Sequence, residues 1–332
     1  MKKYFYQRTK QILSVLLALA IIASNFNVQV NARQEQTNVE TKNINTDNEG
    51  KTEPVAIKEL KNERTVDSNT YLLNNGMKKT VYYSDNIRYE EDGKVKAYNP
   101  ELVKMDESDK EEAGKSKVIS DSNAEAYKYV NKAGDTKQYL PKTMKEETPV
   151  LLTNNKYRVS FAPVSDKKMQ EDTIFENKTK AVEIENQEVT NIVTEKEEEK
   201  KVKANYEYAN EDVALSYQSL EHGIKEDIIL ESVPDTNTFS FVMSVENMMA
   251  RLDDVGGGIT FIDEDKDNII GGIPAPVMHD AGDKGYSEEA YYELEQLESK
   301  KKNVNKYILK IVVDEKYLTS SERVYPLSLI HI

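Results

Sequence analysis

No cysteine and no tryptophan occur among the 332 residues, and histidine occurs only three times. The first absence excludes thiol catalysis, thiolate metal sites and disulfide stapling. The second removes the indole platforms that sugar-binding surfaces favour, although 20 tyrosines are present to substitute. Of the histidines, His222 precedes Gly223 at a turn, His279 precedes Asp280 in a loop after a proline-rich turn, and His331 stands beside the terminal residue. None sits in an HExxH or similar spacing, so metallohydrolase chemistry has little support. There is no GxSxG elbow for a serine hydrolase. Gly256–Gly258 and Gly271-Gly272 lack the Lys-Ser/Thr of a phosphate loop and read as hairpin turns. The expected sets of catalytic, cofactor-binding and metal residues are therefore empty, and no cofactor is expected.

Long hydrophobic runs are missing as well. The apolar stretch Ile12–Ala23 falls well short of the roughly 20 residues a membrane span needs. It follows the basic segment MKKYFYQRTK and precedes Val30-Asn31-Ala32, a small-residue cleavage site, so residues 1–32 read as a secretory signal peptide of Gram-positive type. Without cysteine, a lipoprotein anchor is excluded.

What the chain has in abundance is charge. Charged residues make up 31% of it, mean hydropathy is -0.70 and the net charge is -14. Lys2, Lys3, Arg8 and Lys10 lie in the leader, which holds no acid, so the mature part is more acidic still. With no basic stripe to neutralise phosphates, nucleic acid is not an expected partner. Nor is a membrane once the signal is cleaved. Cell-wall polymers, or a downstream repeat domain of the same protein, are the expected partners.

Residues 33–69 are rich in Asn, Thr, Glu, Lys and Gln and poor in large apolar side chains. Such a segment cannot offset its ordering entropy by burial, and it reads as a disordered polar spacer with at most a short helix at Ile57–Glu63. From Thr70 short β-rich runs alternate with Asn-Asn-Gly and Glu-Asp-Gly turns. Asp106–Asp121 reads as a charged loop. Thr148–Pro163 holds two strands about Asn154-Asn155, with Tyr157, Val159 and Phe161 on one face. Residues 70–163 thus form a first β-rich module. Residues 164–203 are a charged connector with possible edge strands, in which Glu195–Lys203 reads as a solvated turn or loop and Asn177-Lys178-Thr179 matches a glycosylation sequon by pattern alone.

Residues 204–326 form a second β-rich module. Its clearest element is Thr238–Asn247, where Phe239, Phe241, Met243 and Val245 alternate with polar residues, the mark of a half-buried strand. Ile224–Glu231 precedes it across SVPDTN and is expected to be its hairpin partner. ITFID and IIGGIP form a further hairpin, YILKIVV a buried strand and DEKYL a helical turn. Ser287–Glu298 is ambiguous: its helix propensity is strong, yet Ala290, Tyr292 and Leu294 would share one face of a strand. Asp263, Asp265, Asp267 and Asn268 resemble the start of an EF-hand loop, but Asn268 and Pro274 occupy the places of its glycine and glutamate, so a hairpin turn is the reading.

Several stretches resemble the amino-terminal region of secreted, wall-associated RHS/YD-repeat proteins of Gram-positive bacteria, which often carry a DNRLRE module. They are DVALSYQSLEHGIKEDIILES, TFSFVMSVEN, ITFIDEDKDNIIGGIPAPVMHDA, YILKIVVDEKYL and ERVYP, with weaker support from NIRYEEDGKVKAYNPELV and ETPVLLTNNKYRVSFAP. The resemblance spans roughly residues 70–326 and implies a strand at Ala290–Leu297. In that family ERVYP leads through a short apolar strand into a long repeat-bearing body, whereas here LSLIHI follows. Residues 327–332 are accordingly expected to be an anomalous tail, as of a truncated chain. The expected fold is mainly β, with two antiparallel, sandwich-like modules. The expected function is a non-enzymatic, secreted or wall-associated structural module that presents a downstream repeat or toxin body. The alternative is a stand-alone adhesin or carbohydrate-binding module using exposed tyrosines.

Overall fold

A computed structural model describes residues 54–119, 121–164, 179–191, 196–208, 213–282 and 285–330. The stretch read as a signal peptide, most of the expected polar spacer, Asn177 of the sequon and His331 lie outside the described residues. The described chain divides into two units, 54–98 and 99–330.

The smaller unit holds β1 (Ala56–Glu59), β2 (Ser68–Leu73) and β3 (Lys78–Tyr82) in one antiparallel sheet, with a separate hairpin of β4 (Arg88–Glu91) and β5 (Lys94–Ala97). Within the stretch read as a spacer, Ala56–Glu59 is therefore strand, and of the helix expected at Ile57–Glu63 a single 3-10 turn forms at Lys61–Glu63. Pairing with β2 satisfies the strand's backbone, and Arg64 holds Glu59 through two hydrogen bonds of 2.6 Å. Arg88, only 2% exposed, donates to the carbonyls of Thr65 and Ser68 at 3.1 Å and to Asn69 Oδ1. Burial lowers its pKa. Asp92 and Gly93, both at positive φ, make the hairpin turn that Glu-Asp-Gly signals.

The larger unit runs through β6 (Asn99–Lys104), α1 (Glu107–Gly114), β7 (Tyr127–Ala133), β8 (Lys137–Pro141), β9 (Val150–Asn154), β10 (Tyr157–Pro163), β11 (Thr179–Asn191), β12 (Lys196–Tyr208), β13 (Val213–Ser219) and β14 (Ile224–Leu230). It continues with β15 (Thr238–Glu246), β16 (Met248–Leu252), β17 (Ile259–Asp263), β18 (Ile269–Ile273), β19 (Val277–Asp280), β20 (Ala290–Leu297), β21 (Val304–Val313), α2 (Glu315–Thr319) and β22 (Leu327–Ile330). Eight strands form one antiparallel sheet in the order β20-β21-β15-β10-β9-β8-β7-β6. Six form a second, β11-β12-β13-β14-β22-β19, and β16-β17-β18 form a third. The chain is thus mainly β and sandwich-like.

One core joins the three sheets. Phe161, Phe239, Phe241, Met243 and Leu309 come from the first, Tyr206, Leu215, Tyr217, Ile228 and Leu329 from the second, and Ile259 and Phe261 from the third. Tyrosine hydroxyls bridge the two large sheets without leaving polar atoms stranded: Tyr206 donates to the Pro141 carbonyl at 2.8 Å. The Tyr206 and Tyr217 rings meet edge to face at 5.7 Å.

Several expectations need correction. Thr238–Glu246 is buried on both faces rather than one, because Val242 packs with Val164 and Ile308 behind the sheet and Glu246 accepts the Lys117 N–H at 2.9 Å. Its partner is not Ile224–Glu231. β15 pairs with β10 on one edge and β21 on the other, while β14 lies in the second sheet between β13 and β22. SVPDTN is a crossover between sheets. Strands of both stretches read as separate modules share the eight-stranded sheet, and 70–98 belongs to the smaller unit.

Asp106–Asp121 contains a helix, α1, opened by a reciprocal cap. Asp106 accepts the Asp109 N–H at 2.9 Å and Asp109 accepts the Asp106 N–H at 3.1 Å. Its Ala113 packs with Tyr127, Tyr139 and Leu151 on the back of the large sheet. The charge run at Glu195–Lys203 supplies strand β12 from Lys196, since backbone pairing to β11 and β13 does not require apolar residues. Ala290–Leu297 is a strand, as the resemblance implied.

The expected tail is the sharpest correction. Leu327 and Leu329 are fully buried, and β22 sits between β14 and β19 in the second sheet. LSLI is therefore a buried strand of the second sheet rather than a tail. Leu329→Ala should cost about 2–5 kcal/mol of stability, whereas Ile269→Ala, at a site 72% exposed, should stay within about 0.5 kcal/mol. Urea unfolding of the two variants tests this, and a near-neutral Leu329→Ala would remove β22 from the core.

Candidate functional site

The chemistry-bearing residues of the resembling motifs gather at two buried polar joints of the larger unit. At the first, the loop after β19 is tied to the segment after α2. Asp314 caps α2 by accepting the Lys316 N–H at 2.7 Å. This cap places Tyr317, whose hydroxyl donates to the Gly285 carbonyl and whose ring lies 4.5 Å beneath the Arg323 guanidinium. Arg323 in turn meets Asp280 Oδ2 at 3.1 Å, and Asp280 Oδ1 accepts the Gly282 N–H at 2.8 Å. A side chain at Gly285 would fall 1.7 Å from Asp280 Oδ1, so only glycine fits there. HDA, DEKYL and ERVYP thus meet in one loop anchor. All the polar contacts are internal.

The second joint fixes the three-stranded sheet to the eight-stranded one. Asp263, at the end of β17, is 1% exposed. Its Oδ1 accepts the N–H groups of Asp265 and Lys266 at 2.7 and 3.0 Å, which makes the hairpin turn. Its Oδ2 takes the Tyr157 hydroxyl and the Lys156 ammonium, the latter at 2.9 Å. These partners, the Tyr157 hydroxyl above all, hold the carboxyl well below its ordinary pKa. The residues that looked like an EF-hand start are therefore a turn whose first aspartate is committed to protein donors. Among the described residues no group of three or more His, Asp or Glu side chains gathers as a metal would require.

His279 lies on strand β19 rather than in a loop, in register with Ser328 of β22. Its ring stacks at 5.0 Å against Tyr286, and burial followed by Lys225 lowers its pKa. Ser328, however, donates to Asp227 Oδ1 at 2.9 Å, and Asp227 also pairs with Lys225 at 3.1 Å. The serine proton goes to a carboxylate and not to the imidazole, which is the wrong arrangement for a nucleophilic relay. His222 lies in the turn between β13 and β14. A depression of about 290 Å³ lined by Tyr127, Lys128, Lys142 and Thr148 is open to solvent and falls just below the range of about 300–1,000 Å³ typical of ligand pockets.

Sequence reading met Asp263 only as part of an EF-hand-like start set aside as a turn, and Asp280 only as the neighbour of His279, and it joined neither to its partners. Tyr157 lies 106 residues from Asp263, and Arg323 belongs to a different motif from Asp280. The signal available was co-occurrence: each partner stands inside a stretch already singled out by resemblance.

Comparison with known proteins adds a partial likeness. The chain is 32% identical over 123 residues to the "tRNA nuclease WapA" of Bacillus subtilis strain 168. The same identity and length hold for the "tRNA(Glu)-specific nuclease WapA" of Bacillus subtilis subsp. natto and the "tRNA3(Ser)-specific nuclease WapA" of Bacillus spizizenii. The match covers 35% of this chain and 5% of each relative, so the chain spans about 5% of the length of the curated relatives it matches. No family model matches the chain, and no solved structure does.

The depressed Asp263 pKa makes a pH-dependent prediction. In the unfolded chain this carboxyl titrates near about 3.9. Its contribution to stability is therefore complete above that pH and is lost as the pH falls towards the lower folded-state value. Urea midpoints measured from pH 7 down to pH 3 should fall more steeply for the wild type than for Asp263→Asn, which lacks the contribution throughout. Parallel curves would show that the joint adds nothing.

Proposed function

We propose that the chain is a non-enzymatic, secreted structural module of the wall-associated RHS/YD-repeat kind, whose role is to present a larger repeat or toxin body. The observation that carries this reading is the use made of the resembling motifs. Two sets of their polar residues, Asp280–Arg323–Tyr317 and Asp263–Tyr157–Lys156, are consumed in loop anchors. The partial likeness to very long relatives supports the wall-associated placement, and its coverage of 5% of each supports a module role. On this reading the tRNA cleavage in the relatives' names is not carried by this chain.

The adhesin alternative has less behind it. Tyr82, Tyr286 and Tyr291 are the strongly exposed tyrosines among the described residues, and Tyr286 is turned onto His279. Burial and the Glu288 carboxylate raise the Tyr286 hydroxyl to about 12.

Two measurements test the proposal. Purified full-length chain incubated with bulk tRNA and magnesium should leave it intact on a denaturing gel, and cleavage above the buffer control would make the chain a nuclease. Produced in a Gram-positive host, the chain should collect in the wall and medium fractions. Retention in the cytosol would sink the surface assignment.

A further inference from the structure

The three-stranded sheet ends differently on its two sides. Along β16 the outer edge is closed by side chains: Asn305 Nδ2 donates to the Met248 carbonyl at 3.0 Å, and the Ala250 N–H donates to the Tyr307 hydroxyl at 3.1 Å. β18 has a strand on one side only, β17, among the described residues. Its sequence is IIGGI, with Ile269 72% and Ile270 37% exposed. Met249, 43% exposed, stands in the same cross-strand row, aligned with Ile262 and through it with Ile269. An apolar row therefore runs across the sheet and stops at an open edge.

Such an edge is a template for a further strand, and proteins usually blunt it with lysine, proline or an added charge. Ile269–Ile273 contains none of these, and its one irregularity is a register shift against β17 that leaves Ile270 without a directly opposed residue. Gly272 is imposed by packing, because a Cβ there would lie 2.4 Å from the Ile259 carbonyl oxygen. Gly271 is not, since a Cβ would meet nothing within 4 Å. Bare backbone at this position serves no internal contact and leaves the edge accessible.

Both ends of β18 have acidic residues beside them. The β16–β17 turn brings Asp253 and Asp254 beside the Ile273 end, and the β17–β18 turn brings Glu264, Asp265 and Asp267 beside the Ile269 end. Lys266, and Lys156 at 3.6 Å from Asp265, offset part of the charge at the Ile269 end, while Asp253 and Asp254 leave the Ile273 end acidic.

We propose that β18 is a docking edge for an extended polypeptide segment with an apolar centre and basic ends, which adds to this sheet as a fourth strand. Backbone hydrogen bonds to β18 give the affinity, apolar side chains cover Ile269 and the row behind it, and lysine or arginine at each end meets the acidic turns. A second copy of this chain fits poorly, because pairing β18 with itself brings like-charged turns together.

The test is a titration of the full-length chain into a labelled synthetic peptide with an alternating Val-Thr-Ile centre and lysines at both ends. A matched peptide with glutamates at both ends is the control. The lysine-ended peptide should bind saturably, should weaken on raising salt, and should lose about tenfold or more in affinity with the double variant I269K/I270K, which changes exposed positions only. Hydrogen exchange should slow at 269–273 on binding. No saturable binding, equal binding of the two peptides, or unchanged binding by the variant would overturn the proposal. Sedimentation of the chain alone is the remaining arm: a dimer abolished by the double variant would assign the edge to a second copy instead.

Discussion

β15 has both of its faces in dry protein. A strand exposed on one face can leave an edge to water, but one buried on both must satisfy its N–H and C=O groups on both edges or carry orphaned polar groups in the core. β10 and β21 supply those edges in unbroken register, from Arg158 opposite Glu246 to Thr238 opposite Val312. Much of the larger unit follows from that requirement. Its front row, Phe239, Phe241, Met243 and Val245, seats the six-stranded sheet. Its back row brings Val242 against Val164 and Ile308, and Glu246 against the Lys117 backbone.

With the apolar groups committed to that stack, the loops depend on short acids. Asp106, Asp263, Asp280 and Asp314 each accept backbone N–H groups at the first residues of a turn or helix. Two of them also take a cation and stand beside a tyrosine: Asp263 with Lys156 and Tyr157, Asp280 with Arg323 and Tyr317. An acid in this position fixes a loop without an apolar anchor, which suits a chain so rich in charge and without disulfides. It also accounts for the EF-hand-like start at Asp263 being a turn, since both oxygens of that carboxylate take protein donors.

The fold was legible wherever one local rule sufficed. Asn154-Asn155 turned where turn chemistry placed it, and the period of two from Phe239 to Val245 marked β15 correctly as a strand. Partnership was not legible, because pairing is a long-range property. SVPDTN has the composition of a hairpin turn, but only the claims of β10 and β21 on β15 make it a crossover. At Lys196–Lys203 the charge pattern pointed to solvent, while a backbone ladder to β11, joined at Lys203 by one to β13, made a strand. Leu327 and Leu329 looked anomalous as a tail because their burial depends on β14 and β19 flanking them. Of the candidate sites, the two aspartates were met only as part of a turn and as the neighbour of His279, and neither was joined to its partners.

The treatment of sheet edges separates one strand from the rest. At the end of the large sheet β20 alternates Glu293 and Glu295 with its buried residues, and at the other end β6 carries Pro100 and Lys104. The edge of β19 is occupied by the loop that returns through Ser287, whose backbone exchanges two hydrogen bonds with Met278. Each of these devices discourages a further strand. β18 carries no charge, proline or covering loop, its one irregularity is the register shift against β17 at Ile270, and its glycine at 271 answers no packing need. Asp263, Tyr157, Asp280, Tyr317 and Arg323 are spent on internal joints, and on the proposal above recognition falls instead to the backbone of β18, the edge that carries no charge of its own.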